Sequence, residues 1–151
     1  METVNSGAVS APLYDCENSD VIVVIGANPT VNHPVAATFF KNAVNNGSTL
    51  IVMDPRGQAL SRHATHMLQF KGGSDVALLN AIMHVIVDEG LTNESYIARY
   101  TDGFADIKQH VKDFTPEKIA DICGIDAETL RIFARKYASA QISIISWGMG
   151  I

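Results

Sequence analysis

Five consecutive β-branched residues, Val21-Ile22-Val23-Val24-Ile25, leave a strand with no polar side to turn toward water. Side chains alternate between the two faces of a strand, so this one must be covered on both. That is the situation of a central strand in a parallel sheet packed between helices. The pattern recurs in Thr49–Met53, more briefly at residues 65–70, and again at residues 142–146, which run into Trp147-Gly148-Met149-Gly150-Ile151.

Helical signals fill the gaps. Over residues 33–46, Ala36, Phe39, Phe40 and Ala43 share one face, Pro34 suits the first helical position and Gly47 is a stop. Gly72-Gly73 breaks the third strand, Ser74 can cap the next helix, and Val76, Leu79, Ile82, Met83 and Ile86 give that helix its period. Thr92, Thr115 and Asp126 are expected N-caps further on, and Leu130, Phe133, Ala134 and Tyr137 form the stripe of the last helix. Parallel neighbours need a crossover, usually a helix, so this alternation predicts an α/β fold. We expect a doubly wound, mostly parallel sheet with helices on both faces, a Rossmann-like three-layer arrangement, in one domain spanning 1–151.

Composition narrows function by exclusion. The chain has 151 residues, 47% hydrophobic, and a net charge of −5 with its 11 Lys and Arg scattered, so no basic stripe invites nucleic acid or an anionic membrane. No apolar run approaches a membrane span, and the first residues resemble no secretory signal. Cys16 and Cys123 stand far apart without zinc or iron–sulfur spacing and read as free thiols of a reducing, cytoplasmic setting. His63 and His66 form an HxxH pair that does not complete a metal site.

Ligands of open α/β sheets bind beyond the carboxyl ends of the strands. All four predicted ends carry glycine beside hydrogen-bonding groups: Gly26-Ala27-Asn28-Pro29-Thr30, Asp54-Pro55-Arg56-Gly57, Gly72-Gly73-Ser74-Asp75 and Gly148-Met149-Gly150. Main-chain N–H groups exposed there, backed by helix starts, would let an acidic protein hold phosphate. Individually the residues have plainer readings. Asp75 in a first helical turn stabilises its helix by roughly 0.3–1 kcal/mol without a ligand. Asp54 reads equally as a turn aspartate and as a reader of a nucleotide sugar or base. Arg56 suits a surface salt bridge or a phosphate, and His33 a cap or a ligand donor. No Gly-x-Gly-x-x-Gly follows the first strand, no Walker A loop or nucleophile elbow is present, and no residue is assigned to catalysis or metal binding.

The loop sequences carry a family resemblance. Val24-Ile25-Gly26-Ala27-Asn28-Pro29-Thr30-Val31-Asn32-His33-Pro34 resembles the first nucleotide-binding stretch of molybdenum and tungsten formate dehydrogenases, within the dimethyl sulfoxide reductase superfamily of molybdopterin oxidoreductases. Ile51-Val52-Met53-Asp54-Pro55-Arg56 is similar to the family's hydrophobic-Asp-Pro-Arg segment. Residues 68–81 are similar to its Gly-(Ser/Thr)-Asp loop and following helix. Phe114-Thr115-Pro116-Glu117, Cys123-Gly124-Ile125 and Trp147-Gly148-Met149-Gly150-Ile151 also match, so the likeness runs from about residue 6 to the end.

The resemblance implies a bis(molybdopterin guanine dinucleotide) cofactor with Mo or W, one guanosine-diphosphate arm lying across this domain. It places Gly26, Asn28 and His33 on the first contact loop and Asp54 and Arg56 on the second. Gly73, Ser74 and Asp75 fall at the guanine end, with Gly148 and Met149 nearer the pterin. It implies formate oxidation to carbon dioxide in a longer parent, with electrons leaving through an iron–sulfur cluster held elsewhere. The expected partners are the parent's remaining domains and its electron-transfer subunits. In the family, the metal-ligating cysteine or selenocysteine with its histidine precedes the stretch matched here, and a catalytic arginine follows it. The chain is therefore expected to be a piece that is inactive alone. The helix over residues 76–87 is apolar except for an Asn80-His84-Asp88 stripe, which predicts self-association of the isolated piece. Two other readings share the alternation: a nucleotide-binding domain like the central domain of thiamine enzymes, and a non-catalytic interaction module.

Overall fold

The computed structural model describes residues 11–148. Its strands are β1 (Val21–Ile25), β2 (Thr49–Met53), β3 (His66–Leu68) and β4 (Ser143–Trp147). They form one sheet in the order β3-β2-β1-β4, every neighbouring pair parallel. The helices are α1 (Pro29–Asn32), α2 (Pro34–Asn45), α3 (Asp75–Asp88), α4 (Glu94–Tyr100), α5 (Phe104–Val111), α6 (Pro116–Cys123) and α7 (Ala127–Ala138), with short 3-10 turns at Leu13–Asn18 and Ala59–His63.

The doubly wound expectation holds, and strand alternation shows why. Val21, Val23, Ile25, Ile51 and Met53 face a core built with Leu78, Ala81, Ile82 and Val85 of α3, Ile119 of α6, and Leu130, Phe133 and Ala134 of α7. Ile22, Val24, Leu50 and Val52 face the other way, onto Phe40 and Ala43 of α2, Cys16 and Leu60. All ten side chains of β1 and β2 are buried, as an unbroken apolar run requires. The α3–α7 layer stops short of β4, leaving Ile145 and Trp147 of that strand exposed beside covered β1.

Several local expectations shift. The third strand is confined to His66–Leu68, and the last begins one residue later than its apolar pattern. Asn93, not Thr92, caps α4, accepting the Tyr96 amide at 3.0 Å. Asp126 caps α7 as expected through the Thr129 amide. Thr115 and Ser74 occupy cap positions without side-chain capping bonds; the Ser74 hydroxyl instead donates to the Lys71 carbonyl at 2.6 Å. The polar stripe of α3 does not form a solvent face: Asn80 is buried, and His84 Nδ1 lies 3.0 Å from the Val111 carbonyl at the end of α5. Val76 and Met83 are exposed instead.

Candidate functional site

Because all strands run the same way and their last residues are in register, Ile25 beside Met53 and Trp147, and Met53 beside Leu68, the four strand ends are level. The turns after them leave from one edge of the sheet, about 14 Å wide at the usual strand spacing. The chain runs from β1 outward to β2 and β3, then returns to the opposite side of β1 as β4. The strand order therefore reverses between β1 and β4, the place where open sheets of this kind hold ligands.

Just beyond that reversal the backbones leaving β1 and β4 come close together. Gly26 turns the chain out of β1 with φ +59°, a left-handed conformation costly for other residues, while its N–H donates to the Met53 carbonyl at 3.0 Å. Gly148 donates its N–H to the Ile25 carbonyl at 3.2 Å. A Cβ on Gly148 would stand 2.6 Å from the Gly26 carbonyl oxygen and 3.2 Å from the Ala27 Cβ. Glycine is thus required there by close approach of two backbones.

The first turn continues into α1, a single helical turn with Asn28 at its N-cap. The Thr30 hydroxyl donates to Asn28 Oδ1 at 2.6 Å, so the amide N–H2 is what Asn28 can offer an anion. His33 is exposed at the joint between α1 and α2. The sequence suggested a full helix start behind each loop. A single turn follows β1 and a 3-10 turn follows β2, and α3 is the long helix that begins at this edge.

At the second turn, Asp54 is 1% exposed and its carboxylate is engaged locally. Oδ1 accepts the Arg56 amide at 2.8 Å, an Asx-type turn, and lies 3.7 Å from Arg56 Nε; Oδ2 accepts Gln58 Nε2 at 3.2 Å. The Arg56 side chain is 81% exposed. The same Gln58 Nε2 donates to the Ala27 carbonyl at 2.9 Å, tying the first and second turns together. Gln58 Oε1 is buried without a hydrogen-bond partner. Sequence reasoning passed over this residue, because a glutamine after Asp-Pro-Arg-Gly looks like ordinary loop and nothing local signals its burial.

At the β3 end, Gly73 has φ +82°, Ser74 is buried, and half-buried Asp75 opens α3. The Lys71 amide donates to the Cys123 carbonyl at 2.8 Å, anchoring this loop to the end of α6. Gly26, Asn28, His33, Asp54, Arg56, Gly73, Ser74, Asp75 and Gly148 therefore all follow strands that end level at one edge, and Met149 lies outside the described residues. Two open hollows, of about 460 and 260 Å³, lie at the other edge, around Asp20, Gly47 and Thr49 and around Asn18 and Ser48. They sit at the amino ends of the strands, away from the order reversal and from every glycine-acid turn, so the carboxyl edge is the stronger candidate.

Comparison with known proteins identifies relatives of the chain. The chain is 40% identical to formate dehydrogenase H of Escherichia coli over 99% of its length, which is 21% of that protein. It is 36% identical to the F420-dependent formate dehydrogenase subunit alpha of Methanocaldococcus jannaschii, covering 97% of this chain and 22% of that one. Acetylene hydratase from Pelobacter acetylenicus superposes with a TM-score of 0.81 at 30% identity, over 86% of this chain and 18% of that one. The chain thus spans about a fifth of the length of the curated relatives it matches. Among the described residues no helix is long and apolar enough to cross a membrane. The family model for molybdopterin oxidoreductase matches residues 1–151, and the chain belongs to that family.

Proposed function

We propose that this chain holds the guanosine-diphosphate arm of a molybdopterin guanine dinucleotide within a formate dehydrogenase-type oxidoreductase. Family membership implies a molybdopterin-type cofactor with Mo or W; the dinucleotide form and its placement are our reading. The observation that carries it is the row of glycine- and acid-bearing turns, level at the carboxyl edge of one parallel sheet and meeting at its order reversal. Two features of the edge suit such a group: the close backbone approach of Gly148 to Gly26 and Ala27, which a Cβ on Gly148 would block, and the unpartnered acceptor of Gln58.

When bound, the cofactor supplies the redox chemistry, and the residues of this chain bind and orient its nucleotide end. Gly26, Asn28 and His33 line the first contact loop and Arg56 offers its guanidinium to the diphosphate, while Asp54 holds the second turn in shape. Gly73 and Ser74 bring main chain to the guanine, and the Asp75 carboxylate accepts from two guanine N–H donors. Gly148 faces the pterin side. The parent reaction is formate oxidation to carbon dioxide, with electrons passing to an iron–sulfur cluster and partner subunits outside this chain. Relatives named for formate and for acetylene share this piece, which supports a cofactor-holding role rather than a substrate-choosing one.

Thermal shift and calorimetric titration of the chain with GDP and with adenine nucleotides test the reading. GDP is expected to raise Tm, as any ligand selective for the native state must, and Asp75→Ala to abolish the preference for guanine. A preference for an adenine dinucleotide, or no nucleotide response at all, sinks it. The chain alone is expected to give no formate-dependent dye reduction.

A further inference from the structure

Gln58 lies where the exposed turn of Pro55, Arg56 and Gly57 returns to the body of the chain, yet it is only 8% exposed. Its amide orientation is fixed by its partners. Nε2 donates to the Ala27 carbonyl oxygen and to Asp54 Oδ2, and a flipped amide would turn an oxygen toward two acceptors. Oε1 is left buried with no donor, the one such side-chain atom found among the described residues. Buried acceptors in native proteins almost always have a partner, so one left open between two ligand-facing turns calls for a donor from outside the chain.

We propose that Gln58 is a specificity-determining residue of the nucleotide site, its Oε1 accepting a hydrogen bond from a hydroxyl or N–H of the bound nucleotide. This deepens the GDP reading above and rests on it. The acceptor selects the part of the ligand that lies here. Diphosphate oxygens carry no hydrogen at neutral pH and would face both Oε1 and the Asp54 carboxylate, so the nucleoside, not the diphosphate, lies over Gln58. With guanine read at Asp75, beyond β3, the donor nearest the β1 and β2 turns is a ribose hydroxyl. Because Oε1 is buried in the free chain, the contact requires the groups around it to yield on binding.

The test is a cycle between residue and ligand groups, measured by titration calorimetry on the full chain and on Gln58→Met. The ligands are GDP, dideoxy-GDP lacking both ribose hydroxyls, and inosine diphosphate lacking the exocyclic amine. The unaltered chain is expected to bind dideoxy-GDP about three- to tenfold more weakly than GDP, and Gln58→Met to lose that preference. Loss of the GDP-over-inosine preference instead assigns the donor to the base edge and supports the same role. If both preferences survive in Gln58→Met, even with uniformly weaker binding, Gln58 only positions the turns and the proposal is overturned while the GDP reading stands. Absence of GDP binding by the unaltered chain overturns that reading and this one with it. NMR of the unaltered chain gives an independent readout: the Gln58 side-chain amide signals should move with GDP and stay with dideoxy-GDP or inosine diphosphate, whichever lacks the donor.

Discussion

Replacing Gly148 with alanine puts the order reversal itself under strain. The new Cβ would sit 2.6 Å from the Gly26 carbonyl oxygen and 3.3 Å from the Ala27 Cα, and both are backbone atoms that cannot rotate aside. Two kinds of relief exist. The turn after β1 can move, which as overpacking costs about 1–3 kcal/mol. Alternatively, the end of β4 can peel away, losing the Gly148 N–H bond to Ile25 at about 1 kcal/mol. The chain takes the cheaper route, so the expected loss is about 1 kcal/mol, or about 2–4 °C in Tm for a domain of this size. Gly57 is the control, since nothing lies within 4 Å of its Cβ position and its φ is not positive. Gly57→Ala should change stability by less than about 0.5 kcal/mol. Scanning calorimetry of the three proteins decides the matter, and GDP affinity should fall in Gly148→Ala alone. If Gly148→Ala melts with the other two, the close approach of β4 to the β1 turn does not constrain the fold and the reasoning fails.

Three further outcomes are expected. The carboxyls of Glu89, held by the Arg135 side chain, Glu117, held by its own amide and then Arg131, and Asp126, held by the Thr129 hydroxyl and amide, all lie below the ordinary range. Their depressed folded values support the native state above the unfolded values near pH ~4, and that support drains as pH falls through the folded values. Tm should therefore hold steady from neutral pH down to about pH 5 and decline below about pH 4; a Tm indifferent to acid contradicts this. Burial raises the Cys16 thiol, and Cys123 is fully buried, so Ellman's reagent should titrate both cysteines only after unfolding, and fast labelling of the native chain would refute their burial. Trp147, the single tryptophan, is 70% exposed at the uncovered face of β4, so its emission should be that of a wet indole at low concentration. It should shift to the blue as the chain self-associates, and Trp147→Gln should weaken association in sedimentation velocity; a concentration-independent monomer refutes that use of the face.

How legible each part was depends on whether local and tertiary demands agreed. β1 and β2 were readable to the residue because every position but Thr49 is apolar and β-branched or large, so propensity, periodicity and burial agree. α1 was not, since Asn28-Pro29 reads as a turn and four helical residues leave no period. Thr92 and Asn93 are both good caps, and only tertiary placement chooses between them. Asn80 reads as a solvent stripe by its spacing, whereas tertiary packing on α3 buries it. The candidate site residues were legible as glycine and acid punctuation at strand ends. Gln58 was not, because its importance arises from a fold in the Asp54 turn that brings it under the Ala27 carbonyl, a contact 31 positions apart in sequence.

A chain of net charge −5 offered as the holder of a diphosphate must explain where its negative charge goes. At the β2 turn the two charges are sorted by depth. The Asp54 carboxylate is 2% exposed and engaged by the Arg56 amide and the Gln58 amide, whereas the Arg56 guanidinium stands 81% exposed above it at 3.7 Å. An anion approaching that turn meets the guanidinium first, with the carboxylate screened behind its own hydrogen bonds. The acid is nonetheless indispensable to the arrangement, because its two oxygens shape the turn that projects Arg56 and fix the Gln58 amide whose oxygen remains open. The apolar faces of β1 and β2 are already committed to the two cores, leaving the carboxyl edge as the part of the sheet free to be shaped for a ligand. Moving the Asp54 charge up to the surface would leave the overall net charge unchanged and still set a carboxylate against an approaching anion, so the depth of each group, and not the sum of charges, decides whether the proposed site can hold a polyanion.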